Sequence, residues 1–349
     1  MRPPFSNRFG RRTFLGGLGA GVLVACEPDP LLSPKRVRTI EGRPGERLDL
    51  TDVIGANVPG GRAGLAMDPD ALYFVRPDGV YTVPRTGGPA RRLAESNGAA
   101  FPRVDGDFVY WSAPRVRVSA SGDLGASVVR RVSRFGSDVK DVVEIPYGAS
   151  FEVSNRRLVW AGARGQPLST YHDDDDDDHE VKPVKGRYDG SARLVTRWSG
   201  VYWEDATGGR VSRLGADGRV TGAAPLKEGE RFLDADDDAM YGMPRDSVQD
   251  AGKSWRWFRR PFLGGPDAQV VARGYGERVW AAGKRTVMQE VVDGRSVLSL
   301  LQANGETRVL MTDERAEYLV DEWGIFWQES TVRDGRPTNV RFSYLELPT

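Results

Sequence analysis

Cysteine, histidine and lysine are scarce in this chain: 349 residues hold one Cys, two His and seven Lys. A lone cysteine cannot close an intrachain disulfide, and with two histidines it leaves too few ligands for a zinc site built from Cys and His. No uncharged run approaches the roughly 20 apolar residues a membrane-spanning helix needs. Neither sign of charge is in excess, 49 Lys and Arg facing 49 Asp and Glu, so the basic surplus that accompanies nucleic-acid binding is absent. No Gly-rich phosphate loop opens a helix after a strand, and no dinucleotide fingerprint occurs. Lysine's scarcity is made up by 42 arginines, a bias of coding before it is a sign of binding chemistry. A 39 % hydrophobic, 28 % charged chain with mean hydropathy −0.46 can still build a core, and the composition predicts a soluble globular domain.

The segment from Met1 to Cys26 differs from the rest. Arg2, Arg8, Arg11 and Arg12 precede thirteen uncharged residues, Thr13 to Ala25, rich in Gly, Leu and Val. That stretch is too short to cross about 30 Å of hydrocarbon as a helix and has the length of a signal-peptide core. It ends in Leu23-Val24-Ala25-Cys26, which resembles the lipobox of bacterial lipoproteins. The resemblance implies cleavage after Ala25 and a diacylglyceryl thioether on Cys26, the only cysteine of the chain. Arg11-Arg12-Thr13-Phe14-Leu15 resembles the twin-arginine export motif, with Gly10 and Gly16 standing where Ser or Thr and Lys are usual; an ordinary Sec signal is the alternative. The implied organisation is a signal peptide over 1–25, a lipidated Cys and Pro-rich tether over 26–36, and a folded body over 37–349. Export to the periplasmic side of the cell envelope and attachment to a bilayer follow from the same resemblance. Loss of residues 1–25 removes four Arg and no acid, which leaves the mature chain at a formal −4.

From about Ala66 a unit recurs in which small or acidic residues lead into a short aromatic and β-branched run. Its copies are Leu72-Tyr73-Phe74, Val109-Tyr110-Trp111, Leu158-Val159-Trp160, Val201-Tyr202-Trp203, Met240-Tyr241-Gly242, Arg278-Val279-Trp280 and Ile325-Phe326-Trp327. A mean spacing of 42 residues between them is what four-stranded propeller blades require. Most copies also carry a later Gly-containing turn between two short strands, as at Thr86-Gly87-Gly88 and Leu263-Gly264-Gly265, where tight hairpins demand φ > 0. Each unit therefore parses as an inner strand, an aromatic second strand, a third strand, a turn and an outer strand. The pattern resembles β-propeller families with Tyr-Trp-rich second strands, the YWTD, NHL and TolB-like repeats, although no blade carries their signatures. The expected fold is all-β, a seven-bladed β-propeller of four-stranded antiparallel blades. The last unit runs one strand short, and Arg47-Leu48-Asp49-Leu50-Thr51 has the character to supply it, hiding the edge an open ring would expose. Six blades plus an insertion is the alternative, because little room lies between Asp189-Gly190 and Val201 for two strands.

Three connections are long, 112–127, 162–180 and 244–254, and all are expected between second and third strands, on the face where propellers commonly bind ligands. The oddest segment is His172, Asp173, Asp174, Asp175, Asp176, Asp177, Asp178 and His179, where adjacent carboxylates repel one another and should stay solvated. Carboxylates flanked by imidazoles could hold Ca²⁺ or another divalent cation, although the alternation and central Gly of an EF-hand loop are missing. No cofactor is otherwise expected. Trp255-Arg256-Trp257-Phe258-Arg259-Arg260 reads as an amphipathic strand with Trp255, Trp257 and Arg259 on one face. No nucleophile and base are paired by any motif, and the expected role is a monomeric module that binds or scaffolds an envelope protein or small ligand. The alternative is a metal-dependent hydrolase, similar to propeller lactonases, drawing on Asp68, Asp105, Asp236 and Asp321 at blade starts; the same residues serve equally as turn formers.

Overall fold

A computed structural model of the protein describes residues 35–38, 46–55, 61–115, 125–136, 138–161, 168–174, 180–184, 188, 194–205, 209–245, 256–271, 275–283, 285–292, 295–301, 307–313, 316–333 and 336–347. Within these, the aromatic and β-branched runs are strands, as expected of residues that suit a pleated surface packed on both sides. Six antiparallel sheets of four strands follow one another along the chain, over 65–95, 100–146, 151–183, 195–225, 230–271 and 275–313. In each, neighbouring strands are consecutive in sequence, and the inner strands of successive sheets pack side by side around a ring. A seventh sheet completes a seven-bladed β-propeller, and the six-blade alternative falls away. The crowding before Val201 is resolved because the outer strand of blade 3, Lys182–Pro183, comes earlier than expected, leaving 184–194 to lead into the inner strand Val195–Arg197.

Blade 7 joins the two ends of the chain. Its inner, second and third strands are Ala316–Val320, Gly324–Arg333 and Arg336–Glu346, and its fourth is Glu46–Asp49, paired antiparallel through Arg47 with Leu345, Leu48 with Tyr344 and Asp49 with Ser343. The closing strand is thus the one expected, though Thr51 already belongs to a short helix, Thr51–Ile54, that buries Val53 and Ile54. An unexpected fifth strand, Lys35–Arg38, pairs with Glu46–Asp49 and forms the outer edge; it takes in two residues of the segment assigned to the tether.

The aromatic triplets explain the packing between blades. Trp111, Trp203 and Trp327 are fully buried on second strands, wedged where neighbouring sheets face each other. One copy departs from the parse, and another keeps its place without an aromatic third residue. Trp280 lies on the inner strand Tyr275–Ala282 of blade 6, not on its second strand Arg285–Val292, so the triplet there slipped by one strand. In blade 5 the aromatic position is Gly242, whose register partner is Phe258 on the third strand. The Phe258 ring fills the vacated volume: a Cβ on Gly242 would lie 2.4 Å from Phe258 Cζ and 3.0 Å from the Arg231 carbonyl oxygen. Gly242→Ala is therefore expected to destabilise the domain by about 1–3 kcal/mol through overpacking, with Phe258→Leu in the same chain recovering part of the loss. Denaturant unfolding at the wild-type midpoint would contradict this packing.

Candidate functional site

The side chains able to do chemistry fall into two groups, one between the inner strands and one in the turns that link inner to second strands. Between the inner strands sits Glu152, from Phe151–Ser154 in blade 3. Its carboxylate accepts Arg103 Nη2 at 3.0 Å from blade 2, Arg62 Nη1 at 2.8 Å and the Thr196 hydroxyl at 2.7 Å from blade 4. Arg62 belongs to a single helical turn, Gly61–Ala63, that packs on the inner strands of blades 1, 2 and 7. It reaches Glu152 of blade 3 and the Leu194 carbonyl ahead of blade 4, at the end of the inner strands where outer strands hand over to them. Burial alone would raise the Glu152 carboxyl, but Arg103 and Arg62 outweigh it and hold the group below the usual carboxylate range. Burial lowers Arg103 in turn, with Glu152 opposing. A second stitch repeats the logic: Arg197 donates to Asp234 Oδ1 at 2.7 Å, and the other Asp234 oxygen takes the Ala281 amide of blade 6 at 3.2 Å. The inner strands of blades 2 to 6 are thereby linked by charge-assisted hydrogen bonds.

The four acidic residues singled out in the sequence lie at the opposite end of the inner strands. Asp68, Asp236 and Asp321 form the same turn in blades 1, 5 and 7. Each accepts on Oδ1 from the amides two and three residues on, at 2.6–2.8 Å, and donates its own amide to the carbonyl three residues on. The other oxygen of Asp68 and Asp236 accepts the phenol five residues later, Tyr73 at 2.6 Å and Tyr241 at 3.1 Å. Burial first, with the neighbouring carboxylate adding to it, pushes the Tyr73 phenol far up and keeps it a donor. Asp105 differs, for it accepts the amides of Asn155 and Arg156 in blade 3, whose φ values of 50° and 59° are left-handed. All four carboxylates are occupied by turn geometry and blade contacts. Among the described residues no three His, Cys, Asp or Glu side chains come together as a metal ligand set.

The poly-Asp segment follows the third strand of blade 3, Leu168–His172, and precedes the outer strand. The expectation that the whole 162–180 stretch links second to third strands is corrected: only 162–167 does, and the acidic run opens on the face opposite to that expected. Asp173 is buried, not solvated, with the Tyr110 hydroxyl at 2.8 Å and Arg131 Nη1 at 2.9 Å across the boundary with blade 2. His172 Nδ1 lies 2.7 Å from Asp174. Asp175 to Asp178 and His179 lie outside the described residues, as do Trp255, most of the long connections, and the whole export segment including Arg11, Arg12, Phe14, Leu15, Leu23, Val24, Ala25 and Cys26. The Arg256–Pro261 strand exists as expected, with Trp257 buried; Phe258 and Arg260 are buried as well because both faces of the blade are covered. Arg260 is clamped between Glu230 and Asp267 with five donated bonds, one of them to the Pro225 carbonyl.

No protein-family model matches the chain, and no curated protein sequence does. Solved structures match it at the level of the fold. An acylaminoacyl peptidase superposes with a TM-score of 0.54 at 12 % identity, over 84 % of this chain and 54 % of that one. The β-propeller domain of the Trilobed protease from Pyrococcus furiosus gives 0.48 at 11 % identity over 80 % and 97 %, and Kluyveromyces lactis Hsv2 gives 0.47 at 10 % over 81 % and 99 %.

Two substitutions test the electrostatics. Glu152→Gln leaves two guanidinium groups without a counter-charge, and a loss of about 3 kcal/mol is expected, together with loss of the acid sensitivity that wild type gains as pH falls through the lowered Glu152 value. A variant as stable as wild type would remove Glu152 from the ring's framework. Asp321 behaves oppositely, because burial pushes its carboxyl up to about 6 despite the amides of Gly324 and Trp323. Its folded value exceeds the unfolded one of about 4, so its ionisation costs stability progressively as pH rises from 4 through 6. Asp321→Asn keeps the acceptor and should melt above wild type at pH 7 to 8 and with it at pH 4; parallel melting curves at both pH values would refute the assignment.

Proposed function

We propose that this protein is an exported lipoprotein whose β-propeller works as a binding or scaffolding module on the periplasmic side of the cell envelope. The observation that carries the reading is the sequence Leu23-Val24-Ala25-Cys26 at the end of an uncharged run behind an arginine pair, with the only cysteine of the chain where lipid attachment needs a thiol. The fold supports it in two ways. Among the described residues the first strand begins at Lys35, nine residues beyond Cys26, so a tether of at most about 32 Å would hold the ring beside the bilayer. The polar side chains expected to serve a hydrolase are engaged instead in turns and blade-to-blade bonds, and rigid folds with committed interiors offer their surfaces. Export in the folded state through the twin-arginine route suits a ring that closes only when both chain ends have met.

Metabolic labelling with a palmitate analogue tests the anchor. Incorporation is expected in wild type and none in Cys26→Ala, with the variant losing its membrane association; an unlabelled wild-type protein would overturn the lipoprotein reading. Replacing Arg11 and Arg12 by Lys together should trap precursor in the cytoplasm, and unimpaired export would assign the chain to the Sec route.

A further inference from the structure

Strands in each blade alternate in direction, so the turns joining inner to second and third to outer strands lie on one face of the ring, and the remaining connections lie on the other. The two faces differ in charge. Among the described residues, the first set of turns holds fourteen Asp and Glu against four Lys and Arg, and the second set four against three. Among the described residues the acidic excess of the turns is therefore gathered on one face, which Arg91, Arg157 and Arg285 also reach from strand ends to bond turn carbonyls. The same face carries the exposed apolar side chains. Of eight large hydrophobic residues that are exposed among those described, six lie in its turns: Phe135, Val139, Val181, Trp198, Leu263 and Trp323. Leu263 is 102 % exposed, Trp198 78 % and Phe135 66 %, so none of the three contributes to the core.

The tips are held in place. Trp198 has its carbonyl fixed by Asn155 Nδ2 at 2.8 Å, and Phe135 has its carbonyl fixed by Arg91 Nη1 at 2.8 Å. The Trp323 amide donates to Asp321 at 2.7 Å, and its carbonyl accepts the Leu347 amide at 2.9 Å. Leu263 stands beside Gly264 and Gly265, both at positive φ in a tight hairpin. Aromatic and aliphatic side chains presented on a fixed backbone lose little freedom on contact and act as anchors in protein interfaces. Surrounding carboxylates select the sign of the partner.

We propose that the turn face, ringed by Phe135, Trp198, Leu263 and Trp323 and set among carboxylates, is the docking surface of this module and takes a protein whose contact surface is basic. This deepens the binding role argued above and moves it to the face opposite the long connections. An anionic bilayer would also meet apolar tips, but the acidic surround repels it, so charge favours a protein. The proposal does not depend on lipidation, because Cys26→Ala leaves the face intact.

The test uses the full-length Cys26→Ala chain and a fourteen-residue peptide of alternating Lys and Leu as a cationic amphipathic probe, with anionic phosphatidylglycerol vesicles as the second arm. Joint replacement of Phe135, Trp198 and Leu263 by Ser is expected to raise the peptide Kd at least tenfold. Replacing Asp237, Asp238 and Glu322 by their amides is expected to flatten the salt dependence, and Tyr147→Ser on the other face to change neither. Equal thermal melting of the variants establishes that the fold is kept, which the exposure of the three tips predicts. Peptide affinity unchanged by the Ser replacements would overturn the proposal as mere attraction to an acidic protein. Vesicle binding that falls with the tips while peptide binding does not would overturn it in favour of a bilayer.

Discussion

A ring of sheets is held by the pairing that joins its ends, and here that pairing is three residues long. Arg47, Leu48 and Asp49 lie against Leu345, Tyr344 and Ser343, and the Leu50 amide and Thr51 hydroxyl add bonds to Phe342. Without them blade 7 would expose an unpaired edge on a buried third strand, and a sheet edge of that kind recruits other chains. The short helix that follows seals the seam by burying Leu50, Val53 and Ile54 in the core shared with blade 1. Everything on either face depends on that seam, because the cross-blade bonds of Glu152, Asp234, Asp105 and Asp173 have their spacing set by a closed circle.

Much of this architecture could be read from residue types. Aromatic and β-branched runs marked second strands in six blades because a blade needs bulk where two sheets face each other, and Gly pairs such as Gly264-Gly265 marked outer hairpins because φ there is positive. The reading slipped in blade 6, where bulk moved between strands, and held in blade 5, where the third strand supplies it. Trp280 fills the blade 6 interface from the inner strand, and Phe258 fills the blade 5 interface from the third strand across from Gly242. A pattern of residue types records that a volume is filled, and not which neighbouring strand fills it. The acidic run went to the wrong face for a related reason: Leu168-Ser169-Thr170-Tyr171-His172 is a weak strand signal beside six aspartates, so the third strand of blade 3 was hidden.

The candidate site was less legible than the fold. Asp68, Asp105 and Asp236 carry a local signal, an Asp five residues before a Tyr, and the structure makes the hydrogen-bonded corner at Asp68 and Asp236, while Tyr110 donates to Asp173 instead. Glu152, Arg103, Arg62 and Thr196 carry none. Their mutual distances along the chain run from 44 to 90 residues for the bonds Glu152 accepts, and only ring geometry makes them neighbours. The apolar tips were invisible for the opposite reason, since a Trp in a turn looks the same in sequence whether it folds inward or, as Trp198 does, stands in solvent.

The strand that closes blade 7 is among the first parts of the folded body to be made, and its partner is among the last. About 300 residues separate Leu48 from Tyr344, so Glu46–Asp49 leaves the ribosome with only Lys35–Arg38 to pair with, long before Arg336–Glu346 exists. Blades 1 to 6 can assemble from neighbours in sequence as they emerge, each hairpin being local, but closure waits for Arg336–Glu346 and carries the loop cost of about 300 intervening residues. Until then the ring is an open arc, and its window of vulnerability to mispairing lasts until the seam forms.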